Sequence, residues 1–382
     1  MGSIGAYAMV LARRAGVGSN VIGLTVAVSY LPLAMAWLGP LACRRIPIGL
    51  FHAALRGVAA SALLVAAIWP SLPALLVGTF GALFFGPLAD SVYPALFRLI
   101  YQRADQARLM GILYGAKVLA GAMCVLTLGQ WMDHLSIEAS VRVLGAMGAL
   151  GVVSSLVMFR FRRLTEPPMP PAEAHYRPQD HPEFRKLLQT ITVYGIGVCL
   201  LVFVSPILWA DRSAFAFRPS QVGYLTACAF LTQMAVSVWF ARRARVTASN
   251  RLMGVPWMLQ SASMFTATVL LLLPGGREHA FWPMLAAVAV NNMGVGYQLC
   301  AQALMVNAMA AGHSALRFQA MQFTVIGVRG VVVGLAAGYL YQYVGLYVTT
   351  ALAGALMFTG GVLALIRSPR HANPNRSDET TA

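Results

Sequence analysis

Asp90 is one of twelve acidic residues in this 382-residue chain, and it alone stands well inside a long apolar run. Placing an ionised group at the centre of a hydrocarbon layer costs about 2.5–3.5 kcal/mol on insertion scales, so such a residue is a candidate for chemistry. A carboxylate withdrawn from water can carry a proton or contact a solute. The competing role is structural, as the partner of a nearby arginine such as Arg98, two turns on. Lys117 and Arg329 are the deep cations. They suit an anionic ligand, or else they are long side chains that snorkel to the interface. Arg56, nearer the end of its apolar run, reads as a snorkelling side chain. Asn291, Asn292, Tyr297, Gln298, Gln302 and Asn307 form a polar stripe, several of them three or four residues apart. Lipid would reject that stripe, which must face protein or water.

The segments that position these groups are apolar and about 20 residues long, enough for a helix to cross a hydrocarbon core. Hydrophobic residues make up 58 % of the chain and charged residues 10 %, with a mean hydropathy of +0.68. A soluble domain carries about 25 % charged side chains. Spans are expected near 21–42, 48–69, 73–99, 108–131, 140–160, 187–210, 221–241, 252–273, 281–309, 318–343 and 346–366, giving an all-α polytopic membrane protein. Residues 2–12 are apolar but roughly half a span at 1.5 Å per residue, and read as a short or truncated first helix instead of a cleaved signal.

Composition also excludes several chemistries. The net charge of +16 is scattered between apolar runs, so it reports topology and not a nucleic-acid partner. Cys43, Cys124, Cys199, Cys228 and Cys300 stand singly, without metal or redox spacing, and read as small core residues. There is no Gly-rich phosphate loop, no His-Glu-x-x-His and no Gly-x-Ser-x-Gly, so a nucleotide-driven pump and an intramembrane enzyme are both disfavoured and no cofactor is expected. The expected partners are the lipid bilayer and a small-molecule solute, for a monomeric protein. Methionines and aromatics show no pattern.

Lys and Arg are concentrated on one side of the expected spans, at Arg44, Arg45, Arg98, Arg160, Arg162, Arg163, Arg242, Arg243, Arg317 and Arg367 among others. The other side receives Arg13, Arg14, Arg142, Arg212, Arg218 and Arg277. The positive-inside rule makes the richer side cytoplasmic, with the C-terminus, in a cytoplasmic (inner) membrane. The chain divides into an N-terminal transmembrane bundle (1–160), a polar, proline-rich cytoplasmic linker (161–186), a C-terminal transmembrane bundle (187–367) and a disordered cytoplasmic tail (368–382).

The two halves repeat. Ser19-Asn20-Val21-Ile22-Gly23 corresponds to Pro219-Ser220-Gln221-Val222-Gly223 at an offset of 200, and each opens a span that ends in a basic pair, Arg44-Arg45 or Arg242-Arg243. Arg108, Gly121 and Gly129 match Arg317, Gly330 and Gly338 at an offset of 209. Parallel repeats of this kind build transporter folds around a midplane site. The same offset carries Lys117 to position 326, three residues and so one helical turn from Arg329. Gly330, Gly334 and Gly338 form a small-xxx-small run suited to close helix packing.

With these features, together with Gly86 and Val92-Tyr93-Pro94-Ala95-Leu96, the chain resembles the major facilitator superfamily over nearly its whole length. The resemblance implies two six-helix bundles, both termini cytoplasmic, and a central cavity open alternately to either side. It implies that the helices carrying Asp90, Tyr93 and the polar stripe line that cavity, joined by Gln189, Thr192 and Tyr194. The resulting substrate-binding set is Asp90, Tyr93, Lys117, Tyr194, Asn291, Asn292, Gln298 and Arg329. Asp90 is the proton-coupling residue, and Arg44, Arg45, Arg242 and Arg243 are the gating residues. There are departures. Cys43 stands at the acidic position of the loop motif that begins at Gly39, Ile46 replaces its second glycine, Ala82 replaces a frequent arginine, and Gly121-Ala122 replaces the Gly-Pro pair of drug antiporters. The reading is a secondary transporter, proton-coupled and for an organic anion; the alternatives are a multidrug or metabolite exporter and a non-transporting sensor or scramblase.

Overall fold

The computed structural model describes residues 9–10, 12–14, 16–132, 134–165, 178–243, 250–310 and 314–367. Most of the half-length first segment, most of the linker and the whole C-terminal tail lie outside the described residues. Those that are described form an all-α polytopic membrane fold without a strand. Among the described residues, eight helices are long and apolar enough to cross a membrane.

In chain order the helices are α1 (Ser19–Ala34), α2 (Leu38–Ala42), α3 (Ile48–Ile68), α4 (Leu72–Ile100), α5 (Arg103–Met132), α6 (Ile137–Ala146), α7 (Gly148–Met158), α8 (Pro182–Ala210), α9 (Pro219–Arg243), α10 (Gly254–Gln260), α11 (Ala262–Leu272), α12 (Phe281–Met309) and α13 (Ala315–Arg367). Helix covers every span expected from hydropathy. The expected span at 21–42 breaks at residues 35–37, just before Pro40, which has no N–H to donate. Two joins lie inside single spans. At Met147 and Ser261 the backbone stays right-handed, with dihedrals near −62°/−18° and −72°/−18°, so α6–α7 and α10–α11 each continue through a tightened turn. In α13 the break is sharper: Gly345 has φ 79° and ψ 175°, a conformation that glycine adopts without a Cβ penalty, and it divides the helix into two arms.

Helix α8 starts at Pro182, five residues before the expected span at 187–210. Pro182 occupies the first helical position, where a missing N–H costs nothing, and His181 Nδ1 accepts a hydrogen bond from the Phe184 N–H at 3.3 Å. Ser71 and Ser136 cap α4 and α6 in the same way, accepting from Ala74 and Ala139 at 3.3 and 3.2 Å.

Exposed aromatics have a pattern that the sequence did not disclose. Trp69 ends α3, Trp131 ends α5, Trp282 opens α12, and Tyr343 and Tyr347 flank the Gly345 break, all exposed and all at helix ends remote from the basic pairs. Trp37 and Trp239 are exposed near the opposite ends, close to Arg44 and Arg242. Two such girdles suit the two interfaces of a bilayer, where an amphipathic ring has both apolar and polar neighbours.

Packing follows the internal repeat. Helix α3 lies on α4, α6 and α7, while α10 and α11 lie on α12 and α13. Between the halves, α1 packs along α13 and α5 packs along α9. The first of these contacts is backbone to backbone: a Cβ placed on Gly327 would come within 1.8 Å of the Ala34 nitrogen, and one on Gly334 within 2.6 Å of the Ala27 nitrogen. The glycine run of α13 therefore serves close helix packing. Tyr30 covers Gly330, and Phe230 covers Gly121, the residues at offsets of 200 and 209.

Candidate functional site

Two polar clusters occupy the middle of the helices. In the first, α3 presents His52 and Arg56 four residues apart, hence on one face, and α4 presents Asp90 and Tyr93 three residues apart. Arg56 Nη2 donates to Asp90 Oδ1 in an ion pair. This corrects two expectations. Arg56 does not snorkel, and the partner of Asp90 is Arg56 instead of Arg98, whose side chain is exposed two turns away. Eight residues along one helix span about 12 Å, whereas Arg56 approaches laterally from the neighbouring helix. The Asp90 side chain is 44 % exposed and that of Arg56 23 %. A carboxylate so open at mid-helix requires water or another polar group beside it, which a cavity between helices supplies and lipid does not.

His52 is only 3 % exposed, and neither ring nitrogen has a hydrogen-bond partner. Its ring lies 5.7 Å from that of Tyr93, tilted by 36°. Tyr114 on α5 is within Coulombic range of Asp90, Tyr93, Cys300 and Arg56. Lys117, one turn further and halfway along α5, is exposed and holds its Nζ 5.6 Å from the centroid of the Tyr114 ring. Lys117 thus lies on the side of this first cluster.

The second cluster belongs to α8, α10, α12 and the first arm of α13. The Tyr194 hydroxyl lies between Oε1 of Gln260 and Oε1 of Gln298, and its ring stacks on Trp257 at 4.4 Å with 9° between the planes. A hydroxyl has one proton, so it donates to one glutamine at a time. Gln260 Nε2 donates to Gln298 Oε1 at 2.8 Å, and Gln298 Nε2 to Gln302 Oε1 at 2.7 Å. Asn291 is buried and donates to the Gln260 carbonyl and to Ser263 Oγ, the latter at 2.9 Å. Asn292 turns to the other side, accepting from Gln233 Nε2 at 2.6 Å and donating to the Val288 carbonyl at 2.7 Å. The stripe on α12 thus faces protein, and much of its hydrogen-bonding capacity ties helices together. Of the companions expected on α8, Thr192 bonds back to the Leu188 carbonyl and Gln189 accepts from Arg367 at 3.3 Å.

Arg329 stands halfway between Ala315 and the Gly345 break. Its Nη1 donates to the Ile191 carbonyl, its Nε is buried without a partner, and a Cβ on Gly195 would overlap Nη1 at 1.8 Å. Gly195 therefore makes the room into which the guanidinium fits. Tyr30 of α1 and Tyr194 and Cys199 of α8 are its electrostatic neighbours. No carboxylate pairs with Arg329 among the described residues. Lys117 and Arg329 are both at mid-helix, but Lys117 joins the Asp90 cluster and Arg329 the α1–α8–α13 junction.

Arg44, Arg45 and Arg242 are exposed, and no ion pair joins them to another described residue; the side chain of Arg243 lies outside the described set. The ion pair between halves lies at the other end. Arg13 Nε and Nη2 donate to the two oxygens of Asp211 at 2.6 and 2.7 Å, and Arg14 donates to the Phe217 carbonyl. Donating to the Asp211 carboxylate raises the Arg13 pKa above its usual value. Sequence reading missed this pair, since Arg13 and Asp211 are 198 residues apart and neither lies in a motif. A groove of about 600 Å³ between α3 and α7, lined by Ala54, Gly57, Ser61 and Leu156 among others, is overwhelmingly apolar and separate from both polar clusters.

No protein-family profile matches the chain, and no curated protein matches it in sequence. Among solved structures it is similar to the crystal structure of the human organic anion transporter MFSD10 (TETRAN), with a TM-score of 0.57 and 16 % identity over 95 % of this chain and 89 % of that one. At that identity the likeness concerns backbone architecture, and what it establishes is that this chain shares the polytopic all-α fold of the human protein.

Proposed function

We propose that the chain is a secondary active transporter that moves a small organic anion across the cytoplasmic membrane by alternating access between two six-helix bundles. The observation that carries the anionic substrate is Arg329, a cation halfway along its helix arm where α1, α8 and α13 meet, with no carboxylate among the described residues to neutralise it. A half-buried guanidinium whose Nε has no partner is stabilised by an anion that brings both charge and acceptor lone pairs. The organic-anion substrate named for the similar human structure agrees with this reading. Two bundles are supported by the α1–α13 and α5–α9 contacts, which the repeat exchanges. The basic-end asymmetry supports a cytoplasmic C-terminus, and the aromatic girdles support the two bilayer interfaces. Asp90 and Arg56 belong to the coupling site, Tyr93 and Lys117 to its cavity wall. Tyr194, Asn291, Asn292 and Gln298 hold the C-terminal helices behind Arg329.

The test is uptake into proteoliposomes of a panel of organic anions, cations and neutral solutes, each with and without a pH gradient. Anions are expected to accumulate through the intact protein, and Arg329→Gln to lose at least tenfold of the rate while remaining monodisperse. Accumulation of cations alone, or full anion uptake by Arg329→Gln, would reject the assignment.

A further inference from the structure

One carboxylate lies near two basic side chains in the first cluster. His52 and Arg56 share a face of α3, and both are within Coulombic range of Asp90 on α4. Asp90 is taken by Arg56, while the imidazole is buried with two unsatisfied nitrogens. A buried polar group without a partner is unfavourable, so this arrangement is poised toward another in which His52 is satisfied. The neighbouring elements restrict what that partner can be. Helix α4 offers Asp90 and the Tyr93 ring; α5 offers Tyr114 behind Asp90; α7 carries no titratable side chain; Arg160, at the end of α7, is exposed, and Glu138 and Arg142 belong to α6, which packs on α3 as well.

We propose that His52 is the proton-binding group of the N-terminal half, and that its protonated form displaces Arg56 from Asp90. A proton from water adds to a ring nitrogen lone pair. The imidazolium N–H then donates to the Asp90 carboxylate, the Arg56 N–H···O bond breaks, and the guanidinium is released toward the cavity. Since Asp90 can neutralise one cation at a time, proton uptake at His52 and anion binding at Arg56 favour each other, and the coupling is reciprocal. This consequence for transport rests on the reading above; the competition for Asp90 does not.

Two measurements separate them. In the first, the full chain in lipid nanodiscs is labelled with 15N-histidine, and the His52 signal, assigned by its loss in His52→Gln, is followed from pH 4 to 9 without any substrate. The His52 midpoint is expected to move to higher pH by at least tenfold in proton affinity in Arg56→Gln, to lower pH by a similar factor in Asp90→Asn, and to stay near wild type in Arg56→Lys. A change of less than twofold in either of the first two variants would overturn the proposal. Size-exclusion profiles establish that each variant is folded, and Asp90→Gln replaces Asp90→Asn if the latter is not. In the second, proteoliposomes take up Lucifer yellow, a disulfonate whose charge is constant over this range. An inward proton gradient should accelerate uptake by the wild type and leave the His52→Gln rate unaltered; a retained acceleration in His52→Gln counts against the proposal. A protein that shows the titration shifts but takes up no anion retains the proton site and loses the transport reading.

Discussion

Tyr30 lies over Gly330 so closely that a Cβ on the glycine would stand 2.1 Å from the ring Cγ. Phe230 covers Gly121 in the corresponding place, with 3.1 Å to a ring carbon. The aromatic residues are related by an offset of 200 and the glycines by 209, so the repeat in the sequence exchanges the two contacts between halves.

Gly330→Ala therefore forces the α1–α13 contact apart. Overpacking of this kind costs about 1–3 kcal/mol. Thermal unfolding in detergent should show that loss in Gly330→Ala and a smaller one in Gly121→Ala, where the neighbouring ring has more room. Adding Tyr30→Ala should recover part of the Gly330→Ala loss; an additive double variant would mean that the two side chains do not meet.

Breaking the Arg56–Asp90 pair from one side leaves a charge at depth. A fully buried pair loses about 3–5 kcal/mol when one partner is removed, but Asp90 is 44 % exposed, so the expected loss for Asp90→Asn is about 1–2 kcal/mol. The double variant Arg56→Gln/Asp90→Asn should be more stable than Asp90→Asn. Chemical denaturation of the three variants, read as a double-mutant cycle, measures the difference.

The Arg13–Asp211 pair is largely covered, with side chains 20 % and 14 % exposed. It joins the segment before α1 to the end of α8, and Asp211→Ala should cost about 1–3 kcal/mol at low salt and somewhat less at high salt. Its removal should also speed labelling of a cysteine introduced at Asn20 by a membrane-impermeant thiol reagent. An Arg13→Cys/Asp211→Cys pair should cross-link under mild oxidation and slow uptake, with recovery on reduction.

Tyr194 and Gln298 separate packing from recognition. Tyr194→Phe keeps the stack on Trp257 and removes the hydroxyl between Gln260 and Gln298, at a cost of about 1 kcal/mol. If these residues hold the scaffold behind Arg329, stability falls while the KM for a transported anion changes less than twofold. A tenfold rise in KM at unchanged stability would place the hydroxyl against substrate.

Hydropathy made the helices legible because each crossing must satisfy its backbone internally, and that demand leaves a long apolar run in the sequence. It also singled out Asp90 and Arg329, because charge in such a run is rare. It could not identify the partners. By its place in the apolar run Arg56 reads as a side chain that reaches water, and nothing in the order of residues says that α3 turns this face to Asp90. His52 gave no signal at all, since a lone histidine in an apolar run has no spacing to read. The α12 stripe was visible as a stripe, but whether Asn291 bonds Ser263 or a solute depends on which helices flank it. Arg13 and Asp211 meet only through the three-dimensional arrangement of α1 and α8.

The backbone contact of α1 with α13 limits how the halves can move. Where two helices mesh with a glycine row against main chain, sliding along their length would drive each Cα into the next turn, whereas rolling about the line of contact keeps the mesh engaged. With a related line at α5–α9, the two halves are held along two seams, and rolling about either one alone would part the other.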